Sequence, residues 1–169
     1  MEFWSCILYI GFLGIISYPV GRIISRRDPD PECFLLRERT WEMNGMIYEK
    51  LNIKHWQSRV PDISRISWIR LPSKRLEFGI SAERVRIMIR ETCTAELVHG
   101  LLNLLGLRLL WIWQGGGGRI MFLIYVLFGN LPFILVQRYN RPRLKQLHEH
   151  LRAKEDRERN TDSAGTPVF

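Results

Sequence analysis

Two long stretches of the chain are mainly apolar and contain no charged residue. Residues 3–20 read FWSCILYIGFLGIISYPV, and residues 120–137 read IMFLIYVLFGNLPFILVQ. Each stretch contains eighteen residues. As an α-helix, eighteen residues extend about 27 Å, close to the roughly 30 Å of a bilayer's hydrocarbon core. The pattern therefore predicts two membrane-spanning helices.

The first stretch differs from a cleaved signal peptide in both of its flanks. Glu2 precedes it where a signal peptide has basic residues. At its other end stands YPVG, residues 18–21, where a small-residue cleavage site belongs. The next charges are the three arginines Arg22, Arg26 and Arg27, as expected where a helix stops crossing the membrane. We therefore expect residues 1–24 to form a retained transmembrane anchor.

Residues 93–113 are a third candidate span, although three ionisable side chains interrupt it. The interrupting residues are Glu96, His99 and Arg108. A charge at the centre of a spanning helix costs roughly 2.5–3.5 kcal/mol, but these side chains lie near the ends, where they can reach headgroups and water. Four consecutive glycines, residues 115–118, then predict a tight turn. Residues 93–137 are accordingly predicted to form a transmembrane hairpin with its turn at 114–119.

The net charge of +8 is concentrated in two segments. Residues 21–92 contain 15 Lys and Arg against 10 Asp and Glu, and residues 138–169 contain 8 against 5. Three spans place both segments on one side, which the positive-inside rule makes cytoplasmic. The N-terminus is then outside and the C-terminus inside. Because topology accounts for the basic surplus, it is not evidence of nucleic-acid binding.

Composition excludes several classes of protein. With 46% hydrophobic residues the chain is too apolar to be disordered, and three cysteines without a CxxC or Cys/His cluster indicate neither a disulfide framework nor a zinc site. No cofactor or metal is expected. The predicted fold class is an all-α integral membrane protein of the multi-pass type, located in the cell membrane, with three transmembrane helices.

The segment between the first two spans, residues 25–92, is predicted to be cytoplasmic and partly helical. Residues 38–51 have apolar positions at mostly helical spacing, which predicts a helix. Residues 65–90 interleave apolar and basic side chains, a composition that suits a surface lying among anionic headgroups. We therefore expect membrane lipids to contact this segment.

After the last span, residues 138–159 are predicted to form a basic cytoplasmic helix. Arg152 with Asp156 and Lys154 with Glu158 have the i,i+4 spacing that supports an exposed helix. The last residues, 160–169, are polar and predicted to be disordered.

A polar stripe follows one face of the second predicted span. Thr92, Glu96, His99 and Asn103 lie at positions i, i+4, i+7 and i+11. Ionisable residues inside a membrane are costly, so they are candidates for function. A carboxylate one turn from an imidazole can orient it as a general base. We therefore expect a Glu96–His99 hydrogen bond, whereas the alternative is a stripe that only joins helices.

The hairpin brings a basic cluster to the same depth as this stripe. The pairs that a symmetric hairpin places level are Glu96 with Gln137, His99 with Ile134, and Asn103 with Asn130. A kink at Pro132 would shift the pairing by a turn. Arg138, Arg141 and Arg143 then lie at the cytoplasmic boundary, where guanidinium groups bind phosphate or carboxylate, or lipid headgroups.

Two further chemistries are less favoured. Cys93 lies beside the Glu96–His99 pair but on roughly the opposite side of the helix, so a small buried thiol is preferred to a nucleophile. Metal binding by Glu96 and His99 would need more ligands, and His148 and His150 lie in the charged tail.

Three blocks of the sequence resemble the glycosyl-4,4'-diaponeurosporenoate acyltransferase family. They are ETCTAELVH at residues 91–99, NLPFI through QRYNRPRL at residues 130–144, and LNIKHW at residues 51–56 with Arg59, Pro61 and Asp62 downstream. The resemblance extends from about residue 44 to residue 144 and is most specific in the RYNRPRL block.

The resemblance implies a membrane-embedded acyltransferase with two lipidic substrates. Such an enzyme esterifies a fatty acyl group onto the sugar of a glycosylated carotenoid or related glycolipid, here at the cytoplasmic membrane face. The residues implied to bind substrate are Asn130, Arg138, Tyr139, Asn140, Arg141, Asn52, Lys54, Trp56 and Arg59.

The catalytic hypothesis assigns roles to Glu96, His99 and Asn103 of the stripe and to polar residues near the end of the last span. His99, held by Glu96, removes a proton from a sugar hydroxyl, and Arg138 and Arg141 hold the anionic part of the acyl donor. Asn103 or Asn130 donates to the developing oxyanion. The HX4D signature of many acyltransferases is missing.

Two other functions remain open. The chain could be a non-catalytic membrane scaffold or assembly protein for a lipid-modifying complex, in which case the polar stripe is a helix-packing seam. A proton or ion pathway ranks last, because Arg108 alone continues the polar stripe toward Trp113.

Overall fold

The computed structural model describes residues 1–57 and 80–164, and every regular element in those ranges is helical. The α-helices are α1 (Glu2–Arg26), α2 (Ile53–Trp56), α3 (Ala82–Gly106), α4 (Leu109–Ile112), α5 (Gly116–Ile124) and α6 (Leu131–Ala164). A π-helical segment, Tyr125–Asn130, joins α5 to α6. Two 3₁₀ turns, Thr40–Glu42 and Met46–Glu49, lie between α1 and α2.

Three helical stretches in the described part of the chain are long and apolar enough to cross a membrane: Glu2–Arg26, Ala82–Ile112 and Gly116–Thr161. For the residues that the structure describes, this confirms the predicted all-helical fold class and its three candidate spans. The third stretch contains 46 residues, about 69 Å of helix, which is more than twice the roughly 30 Å of a bilayer core. About half of it therefore projects beyond the apolar layer.

The second candidate span is also longer than predicted. α3 begins at Ala82 rather than near residue 93, because the Ser81 hydroxyl caps it by accepting from the backbone N–H of Arg84 (3.3 Å). Its first turn is tied to the distal part of α6, where the Glu155 carboxylate accepts from the backbone N–H of Ala82 (2.9 Å). The α3–α6 pair is therefore an antiparallel hairpin that continues past the apolar segments.

α1 packs antiparallel to α3. The Tyr9 hydroxyl donates to the Leu105 carbonyl (2.9 Å), and Leu13 is buried against Val98 in a common core. Arg90 forms an ion pair with Asp28, just beyond the end of α1. The start of α1 and the glycine turn thus lie at one end of the bundle, and the polar segment after α1 lies at the other.

The predicted helix at residues 38–51 is wrong. Met43, Asn44 and Gly45 have positive φ angles of 51°, 57° and 80°, a conformation that no right-handed helix contains. They separate the two 3₁₀ turns, and the chain folds back so that Tyr48 and Ile53 pack on Val136 of α6. The segment is therefore not a helix. Together with its flanking residues it lies compactly on α6, and we call residues 34–57 the cap.

The tail follows the prediction in part. The basic helix predicted at 138–159 is the distal part of α6, and Lys154 pairs with Glu158 at 3.7 Å. Of the residues predicted to be disordered, 160–164 continue this helix, while 165–169 lie outside the described part, as do 65–79 of the predicted headgroup-facing segment.

The glycine tract lies where the hairpin reverses. Gly115, with φ 89°, belongs to the turn, whereas residues 116–118 already form the first turn of α5. The four glycines differ in the space around them. A Cβ atom on Gly118 would lie 1.9 Å from the Trp113 carbonyl oxygen, whereas a Cβ on Gly116 would have no atom within 4 Å. Gly118 is therefore required by the close approach of two backbones, and Gly116 is not.

We expect Gly118→Ala to destabilise the hairpin by about 1–3 kcal/mol, because a backbone atom must move to admit the methyl group. Gly116→Ala, the matched control, should be neutral or stabilising by up to about 1 kcal/mol, since it restricts the unfolded chain without a clash. The midpoint of thermal unfolding in detergent measures both. Equal midpoints for the two variants would contradict the turn geometry.

Candidate active site

Arg141 lies at the centre of a buried polar cluster between α3, α6 and the segment after α1. Its Nε donates to Oγ1 of Thr92 (3.0 Å), and its Nη1 donates to the Leu36 carbonyl (2.7 Å). Its Nη2 donates to the Thr92 carbonyl (3.1 Å) and to Oε2 of Glu96 (2.5 Å). Four of the five N–H groups of a guanidinium are thus used within the protein, and Arg141 is only 4% exposed.

Arg138, one turn earlier on α6, contacts the other oxygen of the same carboxylate. Its Nε donates to Oε1 of Glu96 (2.7 Å), its Nη1 to Oε1 of Glu42 (2.5 Å) and its Nη2 to the Leu35 carbonyl (2.8 Å). Two of its N–H groups have no acceptor among the described residues. Arg138 therefore retains two donors for a ligand, whereas Arg141 retains one.

Glu42 belongs to the first 3₁₀ turn and is buried with the cluster. Burial alone would raise the pKa of its carboxyl, but hydrogen bonds from the Tyr48 hydroxyl (2.7 Å), the Arg39 backbone N–H (3.0 Å) and Arg138 outweigh burial and lower that pKa. Burial and the bond to Glu42 raise the pKa of the Tyr48 hydroxyl. Glu42 is therefore a carboxylate and Tyr48 a neutral donor at physiological pH.

The four charges of the cluster balance. Two guanidinium groups, on Arg138 and Arg141, face two carboxylates, on Glu42 and Glu96, through three ion pairs of 2.5–2.7 Å. An unpaired charge in this position would be strongly unfavourable, whereas paired and hydrogen-bonded charges are tolerated. The cluster therefore requires all four side chains together.

His99 has a separate hydrogen-bond partner. Its Nδ1 lies 2.9 Å from Oδ1 of Asn130, and the Asn130 amide donates from Nδ2 to the Tyr125 carbonyl (3.3 Å). The second bond fixes the amide so that its oxygen faces the imidazole, and Nδ1 of a neutral His99 is then the donor. Phe133 stacks on the ring at 4.5 Å between centroids. The free electron pair is therefore on Nε2, the form that a general base requires.

The predicted Glu96–His99 hydrogen bond is wrong. Both Glu96 oxygens accept from arginines of α6, and Asn130 takes the imidazole nitrogen that Glu96 was expected to hold. A charged donor outcompetes a neutral imidazole for a buried carboxylate. The Asn103–Asn130 pairing is wrong for a different reason. The chain reverses at residues 113–115, before the middle of the glycine tract, so Asn130 lies opposite His99 rather than Asn103.

The other predicted site residues are distributed around the cluster. Tyr139 is buried in the core with Tyr48 and lies under the guanidinium of Arg143, 3.7 Å from its ring centroid. Arg143 also pairs with Glu49 (2.6 Å). Asn140 is half-buried on α6, and Cys93 is buried.

Asn103 lies one turn beyond His99, toward the glycine turn, and its buried Oδ1 has no donor among the described residues. In the cap, Asn52 precedes α2 in a left-handed conformation and Lys54 is exposed. The Trp56 indole donates to the Leu51 carbonyl (2.9 Å). Arg59 lies outside the described residues.

Arg138 and Glu42 line two clefts of very different size. One has a volume of about 10 Å³, room for roughly one water molecule. Its other lining residues are Leu36, Glu38, Arg141, Pro142 and Lys145. The second has a volume of about 650 Å³, within the range of clefts that hold small ligands. Its other lining residues are Arg39, Trp41, Ile47, Tyr48, Lys50, Leu51 and Leu135.

Glu42 and Tyr48 were not predicted as site residues, and no local signal marks them. Glu42 lies in a charged stretch that looks solvated in sequence, and it reaches Arg138 only because the positive-φ residues fold the cap back onto α6. Among the described residues no group of three or more His, Cys, Asp or Glu side chains is placed to hold a metal ion.

Comparison with known proteins gives one family. The family model described as glycosyl-4,4'-diaponeurosporenoate acyltransferase matches residues 32–150, which include the whole cluster. A protein of that name from Staphylococcus haemolyticus (strain JCSC1435) is 35% identical over 120 residues, 69% of this chain and 67% of that protein. Another of that name, from Staphylococcus aureus (strain Newman), is 29% identical over 126 residues, 73% of each chain. No solved structure matches significantly.

Glu96→Gln tests whether the buried carboxylate holds the cluster together. The amide would point an NH₂ group at one of two buried guanidinium groups, so we expect a loss of about 3–5 kcal/mol of stability. Glu83→Gln is the matched control on the same helix, because the Glu83–Arg86 pair is 61% and 52% exposed and its loss should leave the unfolding midpoint nearly unchanged. Thermal unfolding in detergent measures both, and a Glu96→Gln midpoint equal to that of Glu83→Gln would contradict the cluster.

Proposed function

The chain belongs to the glycosyl-4,4'-diaponeurosporenoate acyltransferase family, and on that premise we propose that it esterifies a fatty acyl group onto the sugar of a glycosylated carotenoid or a related glycolipid. The reaction takes place at the cytoplasmic face of the cell membrane. The observation that carries the proposal is Arg138, a guanidinium held rigidly by two carboxylates where the apolar part of α6 ends, with two N–H groups still available.

His99 is the proposed general base. With Nδ1 bonded to Asn130, Nε2 accepts the proton of the sugar hydroxyl as its oxygen attacks the acyl carbonyl carbon. The tetrahedral intermediate then collapses, the bond between the carbonyl carbon and the donor's leaving group breaks, and the imidazolium returns the proton to that group. Asn130 is thus a positioning residue that sets the tautomer.

Arg138 is the proposed binder of the oxyanion. Its available N–H groups would donate to the carbonyl oxygen as negative charge develops there, and such donors stabilise most strongly when they are fixed in advance in a site of low dielectric. Glu96, one helical turn before His99, fixes this guanidinium. We therefore assign Glu96 to positioning of Arg138 rather than of His99.

Arg141 has a structural role in this proposal, because four of its N–H groups already have acceptors within the protein. Asn103 remains a candidate for an oxyanion or hydroxyl contact, since its buried Oδ1 lacks a partner among the described residues. Lys54, which is exposed on the cap, is available to an anionic headgroup.

Expression together with a glycosylated carotenoid tests the function. We expect the extracted pigment to gain the mass of one fatty acyl chain. The scaffold alternative predicts no gain although the protein is folded and present in the membrane, and that result would overturn the proposal.

His99→Ala should lower acyl transfer by about 10²- to 10⁴-fold, the usual contribution of a general base. Asn130→Ala should lower it less, and it should change the pH–rate profile, because the imidazole keeps its nitrogen but loses the group that sets its tautomer. His150→Ala, in the exposed part of α6, is the matched control and should keep wild-type activity. Wild-type activity of His99→Ala at equal membrane abundance would eliminate the base assignment.

The proposed orientation predicts opposite accessibility for two engineered cysteines. In intact cells, a membrane-impermeant thiol reagent should label Gly116→Cys, which lies at the start of α5 with open space around its Cβ position, and should label His150→Cys only after lysis. The buried native thiols Cys6 and Cys93 should stay unlabelled, and Cys33 is replaced in the background. Labelling of His150→Cys alone in intact cells would reverse the topology.

A further inference from the structure

The 650 Å³ cleft is formed by the cap and by one face of α6, and its lining contains two kinds of side chain. The apolar ones are Trp41, Ile47, Leu51 and Leu135. The polar ones are Arg39, Glu42, Tyr48, Lys50 and Arg138. A ligand that suits this lining has an apolar portion and an anionic or strongly polar portion.

The position of the cleft relates it to the membrane. Leu135 belongs to the uncharged stretch of residues 120–137, and Arg138 is the first charged residue after it. The cleft therefore begins where the apolar part of α6 ends. In the proposed topology, this boundary is where a hydrocarbon chain meets polar groups.

The charge of the cleft favours an anionic ligand. Three cations, Arg39, Lys50 and Arg138, face one carboxylate, Glu42. Glu42 is already paired with Arg138 and bonded to Tyr48, so the surplus positive charge lies on Arg39 and Lys50. Lys50 is exposed and is placed to meet a negative group at the mouth of the cleft.

The cleft is large enough for a small ligand. Its volume of about 650 Å³ lies in the usual range of ligand-binding clefts, roughly 300–1,000 Å³, whereas the water-sized cleft that Arg138 also lines has only about 10 Å³. One hydrocarbon chain with its carbonyl fits this space.

We propose that this cleft binds the fatty acyl donor as a single-chain acyl thioester with a phosphate-bearing leaving group. The chain lies against Trp41, Ile47, Leu51 and Leu135, and the carbonyl oxygen points toward the unused N–H groups of Arg138. The phosphate lies near Lys50 and Arg39. This inference rests on the proposed function, since it assigns the donor subsite of that reaction.

Chain-length dependence of binding tests the subsite directly. The probe is a series of non-hydrolysable alkyl thioethers of coenzyme A, titrated into the full-length protein in lipid nanodiscs, with protein-free nanodiscs as the blank. The affinity of the wild type should rise up to about fourfold for each added methylene, equivalent to about 0.8 kcal/mol, and should level off once the cleft is filled.

Two variants separate the cleft from general membrane partitioning. Leu51→Trp fills the cleft and should abolish most of the chain-length dependence, while Met46→Trp, an equally exposed position on the cap that does not line it, should retain it. Trp41→Ala removes part of the apolar wall and should weaken every long-chain probe. Wild-type dependence in both Leu51→Trp and Trp41→Ala would overturn the subsite.

Competition identifies the ligand class. Coenzyme A without an alkyl chain should compete weakly, and a two-chain anionic phospholipid should not displace the long-chain probe. Displacement by that phospholipid would mean that the cleft is a lipid-headgroup site, and the donor assignment would be wrong.

Failure of this inference is distinguishable from failure of the proposed function. If Leu51→Trp does not change acyl transfer onto the pigment, the proposed function stands and the donor subsite is wrong. Chain-length-dependent binding that Leu51→Trp abolishes, in a protein that adds no acyl group to the pigment, would leave the subsite and remove the proposed reaction.

Discussion

The structure depends on the burial of the Glu96 carboxylate between two arginines of α6. Removing charged groups from water costs several kcal/mol for each ion, and mutual attraction repays this only when the remaining donors and acceptors are also satisfied. Here the Leu35 and Leu36 carbonyls, Thr92 and Glu42 accept five further N–H groups of the two arginines. The cap therefore stabilises the ion pairs, and it also packs on α6 through Tyr48 and Ile53 and pairs Glu49 with Arg143. One electrostatic requirement thus joins three separate parts of the chain.

The two arginines therefore have different roles. Arg141 is surrounded by protein acceptors and holds the cap to α3, whereas Arg138 faces the large cleft and keeps two N–H groups unused. A rigid, partly unsatisfied cation beside an apolar cleft is suited to a polarised carbonyl group on a hydrocarbon chain, which is what an acyl donor offers. The proposed function uses the two N–H groups of Arg138 that the cluster leaves without an acceptor.

The helical framework could be predicted from sequence, and the partners within the site could not. Uncharged stretches of eighteen residues and the glycine tract determine spans and a hairpin because both are local patterns. The polar stripe places Glu96 and His99 on one face of α3, where Glu96 is buried and His99 half-buried, but one-turn spacing says nothing of competing donors on another helix. Glu42 was missed because its approach to Arg138 depends on three consecutive positive φ angles, and Asn130 was misplaced because the chain reverses at residues 113–115, before the middle of the glycine tract.

Hydrogen–deuterium exchange of the cap in wild type and in Arg138→Lys tests whether the ion-pair cluster holds the cap on α6. Lysine keeps the charge but cannot bridge Glu96, Glu42 and the Leu35 carbonyl at once. In Arg138→Lys we expect the backbone amides of residues 34–50 to exchange faster than in the wild type, whereas exchange in the apolar parts of α1, α3 and α6 should not change. Unchanged exchange in residues 34–50 would show that the cap is held by its apolar contacts alone, and the cluster would lose its central place.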